Sequence, residues 1–320
     1  MPANRTRPPA VLSARIGGSE RDYESIGRAH ADWLRDALPD DWSFAGKSVL
    51  DFGCGTGRSL AQLEADASSG EFWGCDIDAD SIAWASEHLS PPFHFVRNGE
   101  LPPLPFPDGK FDLVYGFSVF THLLDSWSAW LLEMHRVLAV GGYGAFTFLG
   151  EGMFSELTGR AWDPDRIGMI MLDGGRPWSI GGPNAFHSEW WLREHWGRLL
   201  AVESVEPYRD AARRRGQGLV LVRKDARVAP TREQIEEPAA GDVRELRSCR
   251  LNIELLLDRS AALWRSADAS VGAQLPAAGE ASAAAEVSLL QRQLAELTQS
   301  KSWRATAPLR QLRRLLTRPG

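Results

Sequence analysis

The stretch VLDFGCGTGR, residues 49–58, decides the fold. A short apolar run carries Asp51, and Gly53, Gly55 and Gly57 follow before a helical pattern begins near Ser59. Glycine is required where the backbone must turn tightly and approach a ligand without a Cβ in the way. The helix end behind such a loop offers free N–H groups and a partial positive charge. The GxGxG spacing differs from the GxGxxG that seats a pyrophosphate on a helix end, so this loop favours a ligand without one.

Working outward, short apolar runs alternate with amphipathic segments of helical length. KSVLDFG, EFWGCDID, PFHFVRN and KFDLVYGF read as strands, with SLAQLEADA, DSIAWASEHL and SWSAWLLEMHRVL as the helices between them. A fifth strand, YGAFTFLG, follows the Gly141-Gly142 pair. After a Gly- and Trp-rich excursion over 151–186 come a helix, HSEWWLREHWGRLL, and two strands, LLAVESVEPY and QGLVLVRK, that form an antiparallel hairpin. The pattern predicts an α/β fold: a Rossmann-like, seven-stranded, mostly parallel sheet with helices on both faces.

Asp76 ends the second strand nineteen positions after Gly57. There a carboxylate can accept hydrogen bonds from both hydroxyls of a ribose, and Ile77 beside it would cover a face of an adenine. Asp78 or Asp80 is left to cap the following helix, the competing role for Asp76.

Four blocks in order, DFGCGTGR, the acid of GCD, PPLPFPDGKFDLVYGFSVFTHL and LLEMHRVLAVGGYGAF, resemble the class I S-adenosylmethionine-dependent methyltransferases over residues 21–224. The resemblance implies S-adenosylmethionine as cofactor. It places the methionine end on Asp51 and the glycine loop, the ribose on Asp76, the adenine edge on Asn98 and Gly99, and the sulfonium above Phe117 and Ser118. Where such proteins often carry an acid after the third strand, this chain offers Asn98, Gly99 and Glu100, and the sequence does not choose among them.

Methyl transfer from a sulfonium is an in-line displacement. The protein must align the nucleophile and, for a hydroxyl acceptor, remove its proton. His122, just after the fourth strand, and His187, beyond the Gly-rich segment, are the candidate bases, with Glu189 and Asp125 behind them. Their competing roles are a buried partner of backbone groups for His122 and a helix cap for His187. Five of thirteen tryptophans fall between 151 and 200: Trp162, Trp178, Trp190, Trp191 and Trp196. They suit either a sugar-binding surface or the core of a small cap, and 151–186 reads as an acceptor-side insert. CDIDAD does not make a metal site, since Asp76 is used by ribose and the other acids by capping.

The bulk numbers set the frame. With 320 residues, 43% hydrophobic and 24% charged, the chain holds one domain and appendages. Residues 301–320 carry six basic residues and no acid, so the preceding 300 sum to −12 against −6 for the whole. An acidic body argues against nucleic acid as partner. No signal-like or membrane-spanning apolar run occurs, and Cys54, Cys75 and Cys249 show no CxxC spacing, which points to the cytoplasm and free thiols. The expected order is a disordered arm at 1–20, the domain at 21–224, a linker at 225–241, an amphipathic helix at 242–266, a second linker at 267–285, and a coiled coil with a basic tail at 286–318. Val287, Leu290, Leu294 and Leu297 repeat at 3, 4, 3 spacing, which suits self-association.

Ser300 to Arg310, SKSWRATAPLR, resembles a segment that ends bacterial glycosyltransferases and methyltransferases of surface-polysaccharide synthesis. That likeness implies a sugar or glycan acceptor in cell-envelope synthesis. Leu309, Leu312, Leu315 and Leu316 opposite Arg310, Arg313, Arg314 and Arg318 would form a helix suited to an anionic membrane surface at the inner leaflet, or to a partner glycosyltransferase. The competing expectations are methylation of a small natural product, and a non-catalytic scaffold that binds cofactor only to hold its shape.

Overall fold

The computed structural model describes residues 7–15, 22–173, 176–177, 181–210 and 215–271. Its centre is a seven-stranded sheet in the order β3-β2-β1-β4-β5-β9-β8. The strands are β1 (Ser48–Phe52), β2 (Glu71–Asp76), β3 (Phe93–Arg97), β4 (Phe111–Gly116), β5 (Leu138–Phe148), β8 (Ala201–Glu206) and β9 (Gly218–Arg223). β1 to β5 run parallel, and β9 enters antiparallel between β5 and β8.

Both faces are covered, as an apolar parallel sheet requires. Alternate strand residues serve opposite layers: Leu50, Phe52 and Val114 pack with Trp130, Leu131 and Met134 of α5 (Trp127–Val137). Val49, Leu113 and Tyr115 pack with Leu34 of α2 (Tyr23–Ala37) and Ala85 of α4 (Ala79–Leu89). The order in which successive strands are added reverses between β1 and β4, and the loops at the strands' C-terminal ends open at this switch point, where α/β sheets bind ligands.

The insert after β5 is a second small body. α6 (Glu151–Thr158) precedes β6 (Met169–Leu172), which pairs antiparallel with β7 (Asn184–His187), and α7 (Glu189–His195) leads back to the main sheet. Leu149, Phe154, Ile167, Ile170 and Phe186 form a separate apolar cluster there, closed by Leu251 and Leu255 of α9 (Val243–Val271).

Four boundaries differ from the sequence reading. The expected arm at 1–20 contains α1 (Ala10–Arg15), because Leu12 is buried and Arg15 bridges to Asp78. SLAQLEADA is a 3₁₀ turn (Leu60–Leu63) followed by α3 (Glu64–Ala67). The linker at 225–241 contains α8 (Arg232–Glu236), started by a Thr231–Gln234 capping box and pinned by fully buried Ile235. The helix expected to end at 266 continues to Val271, the alanine-containing segment 267–271 favouring helix over linker. The 286–318 repeat and tail lie outside the described residues.

Candidate active site

β1 ends at Phe52, and the glycine loop turns beneath β2. Gly53 and Cys54 donate their N–H groups to the Cys75 carbonyl at 2.8 and 3.0 Å. Gly53 has φ +78, and a Cβ there would stand 2.3 Å from Val119 Cγ2, so only glycine passes. Gly55 and Gly57 also have positive φ. Gly55 donates its N–H to Asp76 Oδ2 at 2.8 Å, and Asp78 donates to Asp76 Oδ1 at 2.8 Å. Asp76 is not the helix cap: Asp78 occupies that position, with its carboxylate bonded to Ser81 and Arg15.

Each Asp76 oxygen thus accepts from one backbone N–H and keeps a further lone pair, the acceptor set a pair of ribose hydroxyls needs. Burial raises the Asp76 pKa, and the N–H bonds from Asp78 and Gly55 oppose that. Asn98 is buried at the end of β3. Its backbone N–H bonds to the Asp76 carbonyl at 3.0 Å and its Nδ2 donates to the Gly99 carbonyl at 2.7 Å, while its Oδ1 meets no partner among the described residues. An amino group such as that of adenine is the complement of that orphaned acceptor. Ile77 is half-buried beside Asp76, its carbonyl accepting from Arg97. Asp51 is buried at 3% exposure. Burial pushes its pKa up to about 8, with Asp76 adding to the rise and Tyr115 and Arg58 opposing it.

At the end of β4, Ser118 adopts φ +60 and donates its N–H to Thr147 Oγ1 at 2.7 Å, while Gln217 Nε2 donates to its Oγ at 2.8 Å. Phe117 stacks on His30 with ring centroids 4.2 Å apart and lies 6.2 Å from Trp33. The sequence reading missed this layer. Tyr23, His30 and Leu34 of α2 are buried, and Tyr23 Oη lies 2.8 Å from Thr56 Oγ1 and His30 Nδ1 3.1 Å from Ser59 Oγ. The signal was present as an apolar and aromatic stripe in YESIGRAHADWL at helical spacing. Arg15 reaches from α1 to Asp78 at 2.8 Å and to Asp80 at 3.1 Å, two and four positions beyond Asp76.

The two candidate bases do not converge on Phe117. His187 lies within β7, fully buried; both ring nitrogens lack a partner among the described residues, and burial lowers its pKa to about 3. Its position in a strand also rules out the helix-cap role, which falls to Ser188. His122 donates from Nδ1 to the Pro183 carbonyl at 2.5 Å, since a carbonyl can only accept, and burial lowers its pKa. Glu189 is paired with Arg193 at 2.8 Å, and burial raises the Asp125 pKa.

The tryptophans divide. Trp191 and Trp196 belong to the core, whereas Trp162 and Trp190 line a groove of about 500 Å³ beside the end of β5, with Phe148, Pro164 and Pro207. The Arg244 guanidinium lies 4.4 Å from the Trp190 ring centroid at this groove. Trp178 lies outside the described residues.

The glycine loop, the acid at the end of β2 and the parallel sheet define a Rossmann-like cofactor-binding domain. Residues 49–142 match the family model described as Methyltransferase domain, and S-adenosylmethionine is the cofactor of that domain class. Among curated relatives, the chain is 35% identical over 103 residues to a fatty-acid O-methyltransferase of Mycolicibacterium smegmatis, covering 32% of this chain and 37% of that one. It is 28% identical over 156 residues to a malonyl-[acyl-carrier protein] O-methyltransferase of Pectobacterium atrosepticum, covering 48% and 57%. The chain therefore spans well under two thirds of these relatives. A putative methyltransferase of Haloferax volcanii, solved in complex with the Trm112 activator, aligns over 69% of this chain and all of its own, at 18% identity and a TM-score of 0.49.

Proposed function

We propose that the protein is an S-adenosylmethionine-dependent O-methyltransferase whose acceptor is a small molecule or lipid with an apolar body. When bound, the cofactor supplies an electrophilic methyl group on a sulfonium. The observation that carries the reading is the convergence, within the matched segment, of the glycine loop, the Asp76 carboxylate with one lone pair free on each oxygen, and the orphaned Asn98 Oδ1. Asp51 and the glycine loop would hold the methionine end, Asp76 the ribose, Asn98 the adenine edge with Gly99 beside it, and Ile77 a face of the base. Phe117 and Ser118 would form the floor below the methyl group.

The acceptor side is supported by the groove beside β5, where Phe148, Trp162, Trp190, Pro164 and Pro207 give apolar wall among the charged side chains Glu151, Asp165, Glu189, Arg193 and Arg244. The curated relatives named for fatty acids and an acyl-carrier substrate support an acyl or lipid acceptor over a glycan. The glycan reading, and with it membrane or glycosyltransferase docking and self-association through 287–297, rests on the tail outside the described residues. Calorimetric titration with S-adenosylmethionine tests the cofactor site, and a methyl-release assay on fatty acids, alcohols and glycans tests the transfer. Absence of cofactor binding would remove the proposal.

A further inference from the structure

The face where the methyl group would project carries two arginines, Arg58 and Arg209, and their charges act on His30. Arg209 follows β8 and packs its guanidinium 5.9 Å from the Trp33 ring centroid; Trp33 in turn lies 6.2 Å from Phe117 at the end of β4. Among the described residues Arg209 pairs with no carboxylate. Nearby Glu206 is engaged, its Oε2 accepting from Trp33 Nε1 at 2.9 Å. The loop that carries Arg209 also supplies Pro207 to the wall of the apolar groove, so one turn of chain joins the groove to the strand-end surface.

The titratable groups facing this surface are Tyr23 and His30 from α2, Asp51 from β1, Arg58 behind the glycine loop, Glu206 from β8, and Arg209. Burial first, then the charges of Arg58 and Arg209, lower the His30 pKa to about 3, which leaves it a weak base in a positive field. His187 is sealed in β7, and Asp51 lies beneath the loop. Of the carboxylates facing this surface, Asp51 lies beneath the loop and Glu206 is engaged by Trp33, whereas the Arg209 guanidinium, which pairs with no carboxylate among the described residues, is open to an anion.

Resting on the methyltransferase reading above, we propose that the acceptor is a carboxylate on an apolar body, oriented by Arg209, and that its methylation uses no general base. The carboxylate oxygen gives a lone pair to the methyl carbon. The carbon–sulfur bond breaks with its electron pair on sulfur, leaving a methyl ester and the neutral thioether S-adenosylhomocysteine, and no proton moves. Arg209 suits the task because its planar fork matches a carboxylate and is anchored on an aromatic face. The apolar body would lie along Phe148, Trp162 and Trp190.

The test uses the full chain with S-adenosylhomocysteine, and acetate, benzoate, decanoate, palmitate and decan-1-ol as probes in calorimetric titration. Turnover with S-adenosylmethionine is then followed by mass spectrometry of ester or ether product. We expect an apolar carboxylate to bind and to be esterified, decan-1-ol to give no ether, and the rate at saturating cofactor to be flat from pH 6.5 to 8.5. Arg209→Met should weaken carboxylate binding by about tenfold or more at unchanged cofactor affinity, with Arg209→Lys recovering part of it. The proposal is overturned if no carboxylate binds, if Arg209→Met leaves carboxylate binding intact, or if it weakens cofactor binding instead. A rate that rises with pH and is lost in His122→Gln would overturn it too. Failure of cofactor binding in the unaltered protein sinks the methyltransferase reading itself.

Discussion

The Asp76 carboxylate holds the Gly55 N–H at 2.8 Å, so the end of β2 and the glycine loop are one mechanical unit. A residue read from sequence as a ribose ligand is also the strut of the glycine loop proposed to hold the methionine end. Removing it therefore acts twice.

Asp76→Ala is expected to weaken S-adenosylmethionine binding by well over tenfold, since charge-assisted bonds to two hydroxyls are lost. It should also lower stability by about 1–2 kcal/mol, because the Gly55 and Asp78 N–H groups lose their acceptor. Titration reads the first effect and urea unfolding the second. Unchanged affinity would remove the ribose assignment.

The sheet was legible because its signals are local. Short, largely apolar runs such as Val49 to Phe52 and Leu113 to Tyr115, buried throughout and separated by helical stripes, mark strands, helices and their alternation without tertiary information. Asp51, Gly53 and Asp76 were legible for the same reason: they sit at strand ends with distinctive spacing. His30 and Arg209 were not, because each reaches Phe117 only through Trp33 or a stacked ring from elements distant in sequence. The β6–β7 pair was hidden in the Gly-rich excursion, whose strands are only four residues long. His187 reads as a base in sequence because nothing local announces that β7 buries it.

Asp51 makes cofactor affinity depend on pH. Its carboxyl titrates near 8 in the free protein, and the cofactor carries a cationic ammonium and sulfonium that favour the ionised form. Binding should release a proton below pH 8, so affinity should rise with pH by up to about tenfold per unit and level off above 8. Titrations from pH 6 to 9 in buffers of different ionisation enthalpy read both quantities. Asp51→Asn should flatten the curve; a slope that survives in this variant assigns the proton elsewhere.

His187 makes stability depend on acid. Its folded pKa, about 3, lies below the ordinary histidine value of 6.5, so the unfolded chain binds a proton that the folded chain refuses between those limits. Stability contributed by the neutral ring is full above pH 6.5 and declines as pH falls toward 3, by up to about 1.4 kcal/mol per unit. His30 carries a shift in the same direction and should add to the slope. Urea unfolding at pH 5 and 7 should show a smaller loss in His187→Phe than in the unaltered protein. An unchanged difference would mean that His187 is protonated equally in both states.

α9 should prove part of the catalytic body rather than an appendage, because its polar side chains satisfy the open backbone of β6. Gly168 donates its N–H to Ser248 Oγ at 3.0 Å and Met171 donates to Asn252 Oδ1 at 2.8 Å, while Asn252 Nδ2 donates to the Met169 carbonyl at 2.8 Å. One helical turn thus stands in for a neighbouring strand, with Leu251 and Leu255 closing the apolar cluster beside it. Asn252→Ala takes the acceptor from the Met171 N–H, at a cost of about 1–3 kcal/mol, and leaves the Met169 carbonyl with only the longer bond from Ser248 Oγ at 3.3 Å. Hydrogen exchange should quicken across 243–257 and 169–172 in this variant, with β1 and β4 unaffected. Truncation after Leu275 keeps all of these contacts and should still bind S-adenosylmethionine, whereas truncation after Ala240 exposes Ile167, Ile170 and Phe186 and should lose solubility. If the shorter chain stays soluble and its β6–β7 amides exchange no faster than in the full chain, α9 does not hold the acceptor side together.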